Sequence, residues 1–167
     1  DPQVLKDLMK LLRRFKQTNQ LVDMVVSDFV YDKAGARHKK VMRYPRAIPT
    51  DRVLHWEDVG NFPKGHYLLM HSVIYRTQVL RDCGLDLPLH TFYVDNLFAN
   101  CPLPFVQRIY YLNEDLYHYY LGREDQSVNE KVLVSRIDQQ ILVTQLGNRF
   151  VGSDAVQNTE PKLRRYL

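Results

Sequence analysis

A chain of 167 residues, 45% apolar and 25% charged with eleven tyrosines, can bury the core of one compact domain and is neither disordered nor collagen-like. No stretch approaches the roughly 18 uncharged apolar residues that cross a bilayer. A net charge of +4 is too small for the whole surface to bind a polyanion, so any such affinity has to come from a local patch.

The chain opens on a helix. Asp1 is placed to cap it, Pro2 suits its first turn, and Leu5, Leu8, Leu12 and Phe15 recur on one face. Lys6, Lys10, Arg13 and Lys16 form the opposite face, which reads as a solvated surface. There is no initiator methionine before this helix, which leads to the expectation that the chain was cut from a longer protein. Residues 21–31, rich in valine, suit a strand covered on both faces, and helix followed by buried strand indicates an α/β fold. Turn residues 32–35 lead into a second strand over 37–44, giving a hairpin. Its arm carries Arg37, His38, Lys39, Lys40, Arg43 and Arg46. These cations read either as charges that keep an edge strand from aggregating or as a grip on nucleic-acid phosphates or an anionic membrane.

Proline punctuates residues 45–63, where the sequence predicts a mobile or partner-facing loop with a short helix after Thr50 carrying Leu54 and Trp56. The apolar run 67–75 leads to Thr77 as the cap of a short helix that stops at Gly84. Another short helix is predicted to begin at Asp95. Two tyrosine-rich strands, 106–112 and 116–121, flank Asn113, Glu114 and Asp115 as a second hairpin. A long helix is expected from about 127 to 146, with Leu133, Ile137 and Ile141 on one side. The domain is assigned to residues 1–150, and the polar tail 151–167 is expected to fray or to pack on a missing segment.

Several chemistries are excluded by pattern. No dinucleotide fingerprint, Walker loop, HExxH or GxSxG element occurs. Histidines 38, 55, 66, 71, 90 and 118 lack the spacing of a metal site, and no metal ligands are assigned in this chain. Cys83 and Cys101 have neither zinc-knuckle nor redox-pair spacing, no secretory leader precedes them, and a reducing cytoplasm is the expected compartment.

Two segments carry the remaining chemistry, HTFYVDN at 90–96 and GREDQS at 122–127. A carboxylate at a helix start, Asp95, is either a cap or a base that takes a proton from an attacking hydroxyl. Phe92 and Tyr93 either fill the core or stack on a sugar face. Arg123 can hold a diphosphate by two parallel hydrogen bonds and Ser127 can donate at a helix start, while the same residues also read as an ordinary capped helix.

LLMHSVIYRTQVLRDCGLDLPLHTFYVDNLFA, residues 68–99, and YYLNEDLYHYYLGREDQSVNEK, residues 110–131, resemble bacterial family 2 glycosyltransferases of the GT-A fold. The likeness extends over about residues 1–146. It implies a partial GT-A-like mixed sheet with flanking helices and a long C-terminal helix, the acceptor-side portion following an absent nucleotide-binding half and its DxD motif. It implies Asp95 as the base of an inverting transfer, with Val94 standing where the family places another acid. His71 and Ser72 would shape the acceptor pocket, beside Tyr93 as a candidate to stack on the sugar, and Arg123 and Ser127 would meet the donor diphosphate. Further implied are a nucleotide-sugar donor, a sugar or lipid-linked acceptor, a divalent Mn or Mg ion whose main ligands lie outside this chain, and a role in cell-envelope polysaccharide synthesis. The expected location is cytoplasmic, at the inner face of the membrane with peripheral contact. No specific nucleic-acid partner is expected on this reading, and the fragment by itself is expected to be inactive. The reading set against it is a basic nucleic-acid-binding or protein-interaction module, in which the arm and the tyrosines grip a single strand by charge and stacking.

Overall fold

The structure, a computed structural model, describes residues 2–122, 126 and 129–167. Helix α1, Pro2–Gln17, buries Leu8 and Phe15 of the predicted face against the sheet with Leu12 partly buried beside them, while Leu5 stays exposed, and the proposed cap at Asp1 lies outside the described residues. Strand β1, Met24–Lys33, is buried over its first seven residues. Its side chains alternate: Val25 packs under α1 with Phe15 and Val22, while Met24 and Val26 enter the larger core on the other face. Coverage of both faces explains why the strand reads as a continuous apolar run.

The hairpin forms as expected, though β2 is only Lys40–Met42, antiparallel to β1 at the sheet edge. The run 67–75 ends in β4, Val73–Tyr75, which pairs antiparallel with the start of β1. Strand β5, Ile109–Leu121, runs parallel to β1 along its full length. The described sheet is mixed and open, ordered β2-β1-β5-β3, with β3 being Val53–Leu54.

Several expectations are corrected. The two expected strands over 106–121 are one strand, Ile109–Leu121, not a hairpin, because Asn113 to Asp115 do not reverse the chain. The pairing steps from Ser27 opposite Leu112 to Asp28 opposite Asp115, so the extra residues bulge out while the strand keeps its direction. No helix follows Thr50: Leu54 lies in β3, antiparallel to β5, and Trp56 begins a 3-10 turn. Ala47, Ile48, Leu54, Trp56 and Val59 are all buried, so the proline-rich segment is a layer of the core rather than a mobile loop.

Helix α2, Thr77–Asp82, takes Arg76 and not Thr77 at its cap position, and it ends at Gly84, whose φ of +61° is the left-handed value the sequence predicts. Helix α3, Val94–Asn100, has Tyr93 at its cap position, so Asp95 lies inside the first turn. The long C-terminal helix is two: α4, Glu130–Ser135, and α5, Ile137–Val151, broken at Arg136 with φ −124° and ψ 22°. Leu133, Ile137 and Ile141 are exposed, and Val143 is the buried residue of α5.

The tail does not fray. After α6, Asp154–Gln157, and α7, Pro161–Tyr166, Val156 and Leu163 are fully buried, and the Tyr166 hydroxyl accepts from the Leu68 amide at 2.8 Å. Fully burying side chains of this size contributes about 1.5–3 kcal/mol each, which outweighs the low periodicity that makes the tail read as loose. No helix among the described residues is long and apolar enough to cross a membrane.

Candidate functional site

The segment 90–96 is held in an unusual backbone. His90 and Tyr93 have φ of 53° and 69°, left-handed values that cost a non-glycine residue roughly 1–2 kcal/mol and need support from their surroundings. Helix α5 provides it. The Gln139 side-chain oxygen accepts from the Phe92 amide at 2.8 Å, and the Arg136 guanidinium lies 4.7 Å from the centre of the Phe92 ring. This clamp sets where α3 starts, and with it the half-buried side chain of Asp95.

His71 sits in a 3-10 turn, Met70–Ser72, just before β4, close enough to Asp95 to feel its charge. Burial pushes the imidazole below its ordinary pKa, and the Asp95 charge works in the opposite direction. The ring stacks on Tyr119 at 4.3 Å and on Tyr117 at 5.5 Å, and meets the edge of Phe29 at 5.2 Å. Tyr117 and Tyr119 are two residues apart on β5 and therefore share a face, with Tyr117 48% exposed. Tyr31 extends the cluster, 6.0 Å from Tyr119, with the Lys40 ammonium 5.8 Å from its own ring centre. A half-buried imidazole and partly open aromatic rings are thus gathered at one place, with the Asp95 charge close enough to act on the imidazole. Such a set can take up a proton and can pack against the C–H face of a polyhydroxylated ligand.

The other predicted residues fall differently. Ser72 is fully buried, and its hydroxyl both accepts from the Leu69 amide and donates to the Leu69 carbonyl, so it closes the turn that presents His71. Tyr93 is half-buried at the start of α3, its ring 6.3 Å from Phe92. Arg123 and Ser127 lie outside the described residues. Between them Gln126 is 5% exposed, its side chain accepting from the Gly122 amide at 2.9 Å and donating to the Tyr120 carbonyl at 2.6 Å, which ties the loop to the end of β5.

Sequence reasoning did not find the tyrosine stack, although the alternation of Tyr117 and Tyr119 on a strand was a usable signal. It gave no sign of the Gln139 clamp, which depends on a contact 47 residues away.

A second polar group lies in the core. Asp28, 1% exposed, accepts from the Tyr111 hydroxyl at 2.5 Å, and that hydroxyl accepts from the Tyr44 amide at 3.0 Å. Burial raises the Asp28 carboxyl to about 6, although the Tyr111 hydrogen bond and the Arg43 charge 3.7 Å away favour its ionised form. Arg43 also forks onto Asp115 at 3.2 Å, and Lys39 pairs with Asp32 at 2.7 Å. Two cations of the basic arm, Lys39 and Arg43, are therefore engaged with acids of their own sheet and are less available to grip nucleic acid.

Both cysteines are free and half-buried, and burial pushes the Cys101 thiol up to about 11, a poor setting for a nucleophile. Among the described residues no three of His, Cys, Asp and Glu converge as a metal site. A hollow of about 470 Å³ lies between α3 and α5, and another of about 450 Å³ lies beside α7. Asp95 lines neither, though Asn96 lines the first.

The fold and this site define a mixed α/β domain with a histidine-tyrosine cluster at one side of its sheet, within reach of the Asp95 charge. No protein-family model matches the chain, and searches of curated proteins and of solved structures return no match.

Proposed function

We propose that the chain is the acceptor-side part of a family 2-like glycosyltransferase of the GT-A type, with Asp95 as its general base. The observation that carries this reading is the His71 ring stacked on Tyr117 and Tyr119 within reach of the Asp95 charge. The acceptor sugar packs on the aromatic rings with one hydroxyl toward Asp95. As that oxygen attacks the anomeric carbon of the donor, its proton passes to the carboxylate. The new carbon–oxygen bond forms as the bond to the nucleotide diphosphate breaks, and the departing group keeps the electron pair, inverting the anomeric centre. His71, biased toward its neutral form by burial, is available to hydrogen-bond a second hydroxyl and orient the ring.

A divalent Mn or Mg ion belongs to the proposed whole enzyme. Among the described residues none gather to cradle it. Donor nucleotide sugar, sugar or lipid-linked acceptor, and a cytoplasmic place at the inner membrane face in envelope polysaccharide synthesis all belong to the same proposal.

The test joins the chain to an upstream donor-binding segment and screens nucleotide sugars for transfer. The joined protein should transfer sugar, the 167-residue chain alone should not, and Asp95→Asn should lower turnover by roughly 10²–10⁴. Robust transfer by the isolated chain, or full turnover in Asp95→Asn, overturns the assignment.

A further inference from the structure

Where α3 and α5 face each other, apolar side chains would ordinarily close the gap between two packed helices. Here the facing positions carry amides and a hydroxyl. Asn96 and Asn100 are four residues apart on α3, and Gln140, Thr144 and Asn148 repeat at the same interval on α5, so each set forms one row. Between the rows the hollow of about 470 Å³ remains. Its floor is apolar, with Leu68, Leu97 and Val143 buried beneath it, and the 57% exposed Tyr67 stands at its rim. No acidic or basic side chain lines it among the described residues.

The hydrogen bonds of these amides run mostly along their own helices. Asn96 donates to the Tyr93 carbonyl at 3.1 Å, Asn100 to the Asn96 carbonyl at 2.8 Å, and Gln140 to the Thr144 hydroxyl at 3.3 Å. Their side-chain oxygens, and the whole Asn148 amide, have no hydrogen-bond partner among the described residues. The hollow therefore offers uncharged donors and acceptors around an apolar base. Its volume falls within the range of small-molecule sites, roughly 300–1,000 Å³. An anionic ligand would find no counter-ion there. A purely apolar ligand would leave the amides unpaired, at a cost of about 1–3 kcal/mol for each group it buries. A neutral saccharide unit, with hydroxyls at its edge and C–H groups on its face, satisfies both parts.

We infer that this hollow is a binding site for a neutral saccharide unit. Asn96 adjoins Asp95 in α3, so within the proposed enzyme the site holds the acceptor unit next to the one that reacts. That role rests on the glycosyltransferase reading, whereas saccharide binding itself does not.

Gly147 supplies a clean test, because a Cβ built there meets no atom within 4 Å. In Gly147→Leu the new side chain occupies the hollow without displacing the core. Side-chain amide resonances of the 167-residue chain would be followed by NMR during titration with lactose, maltose and cellobiose, with galacturonic acid and uridine monophosphate as charged comparators. At least one neutral disaccharide should shift the amides of Asn96, Asn100, Gln140 and Asn148 saturably, with roughly millimolar affinity. Gly147→Leu should weaken this by at least about tenfold. Absence of saturable shifts with all three disaccharides overturns the site, as does equal binding by Gly147→Leu or tighter binding of the charged comparators. Because this readout needs no turnover, a catalytic Asp95 without saccharide shifts would refute the hollow alone, and saccharide shifts with an active Asp95→Asn would refute the base alone.

Discussion

Asp28→Asn removes a carboxyl that the fold holds in the interior with its proton favoured. The group is 1% exposed, and burial raises it from 3.8 to about 6. Between those two values the folded chain binds a proton that the unfolded chain does not, so stability falls as pH rises through that window and the loss is complete above it. A shift of about two units at 1.36 kcal/mol per unit corresponds to roughly 3 kcal/mol. His71 works in the opposite direction. Its depressed pKa means that the unfolded chain takes up protons more readily as pH falls below 6.5, which lowers stability on the acid side. The two slopes overlap in the wild type, so the diagnostic quantity is the difference between wild type and Asp28→Asn at each pH.

Urea unfolding followed by fluorescence of Trp56, the single tryptophan, buried in the core, gives both curves. The advantage of Asn over Asp should grow by about 2–3 kcal/mol between roughly pH 4 and pH 7. A difference constant to within about 0.5 kcal/mol across that range would refute the account of Asp28 as a buried acid whose charged form is disfavoured.

Asp23→Ala should cost about 2–4 kcal/mol in the same assay, because its carboxylate accepts from Arg76 at 2.7 Å and from the Gln107 and Arg108 amides at 3.0 and 2.9 Å. A loss below about 0.5 kcal/mol would show that this junction of β1, α2 and β5 is not held there. Leu163→Ala, at a fully buried position in α7, should cost roughly 2–5 kcal/mol, and a neutral result would mean that the tail is not docked.

Local signals were legible where a single element decides its own structure. The 3.6-residue repeat of α1, the valine run of β1 and the stop at Gly84 all depend on near neighbours. The polar triplet Asn113, Glu114 and Asp115 did not reveal itself, since a bulge and a reversal use the same residue types and the parallel partner β1 decides between them. The layer formed by Ala47, Ile48, Leu54 and Trp56 was hidden for a similar reason: β3 finds its partner in β5, more than fifty residues later. Within the site, Asp95 and His71 stood in segments that could be singled out. The stacking of His71 on Tyr117 and Tyr119 depends on the register of β4 and β5 across β1, which no local pattern encodes.

The central claim, that the Asp95 carboxylate takes the acceptor proton, is tested most directly by the single-turnover rate of transfer, at saturating donor and acceptor, in the chain joined to a donor-binding segment. The account predicts that Asp95→Asn slows this chemical step by roughly 10²–10⁴ while acceptor affinity stays within a few-fold. An unchanged single-turnover rate, or a loss confined to acceptor affinity, would contradict it.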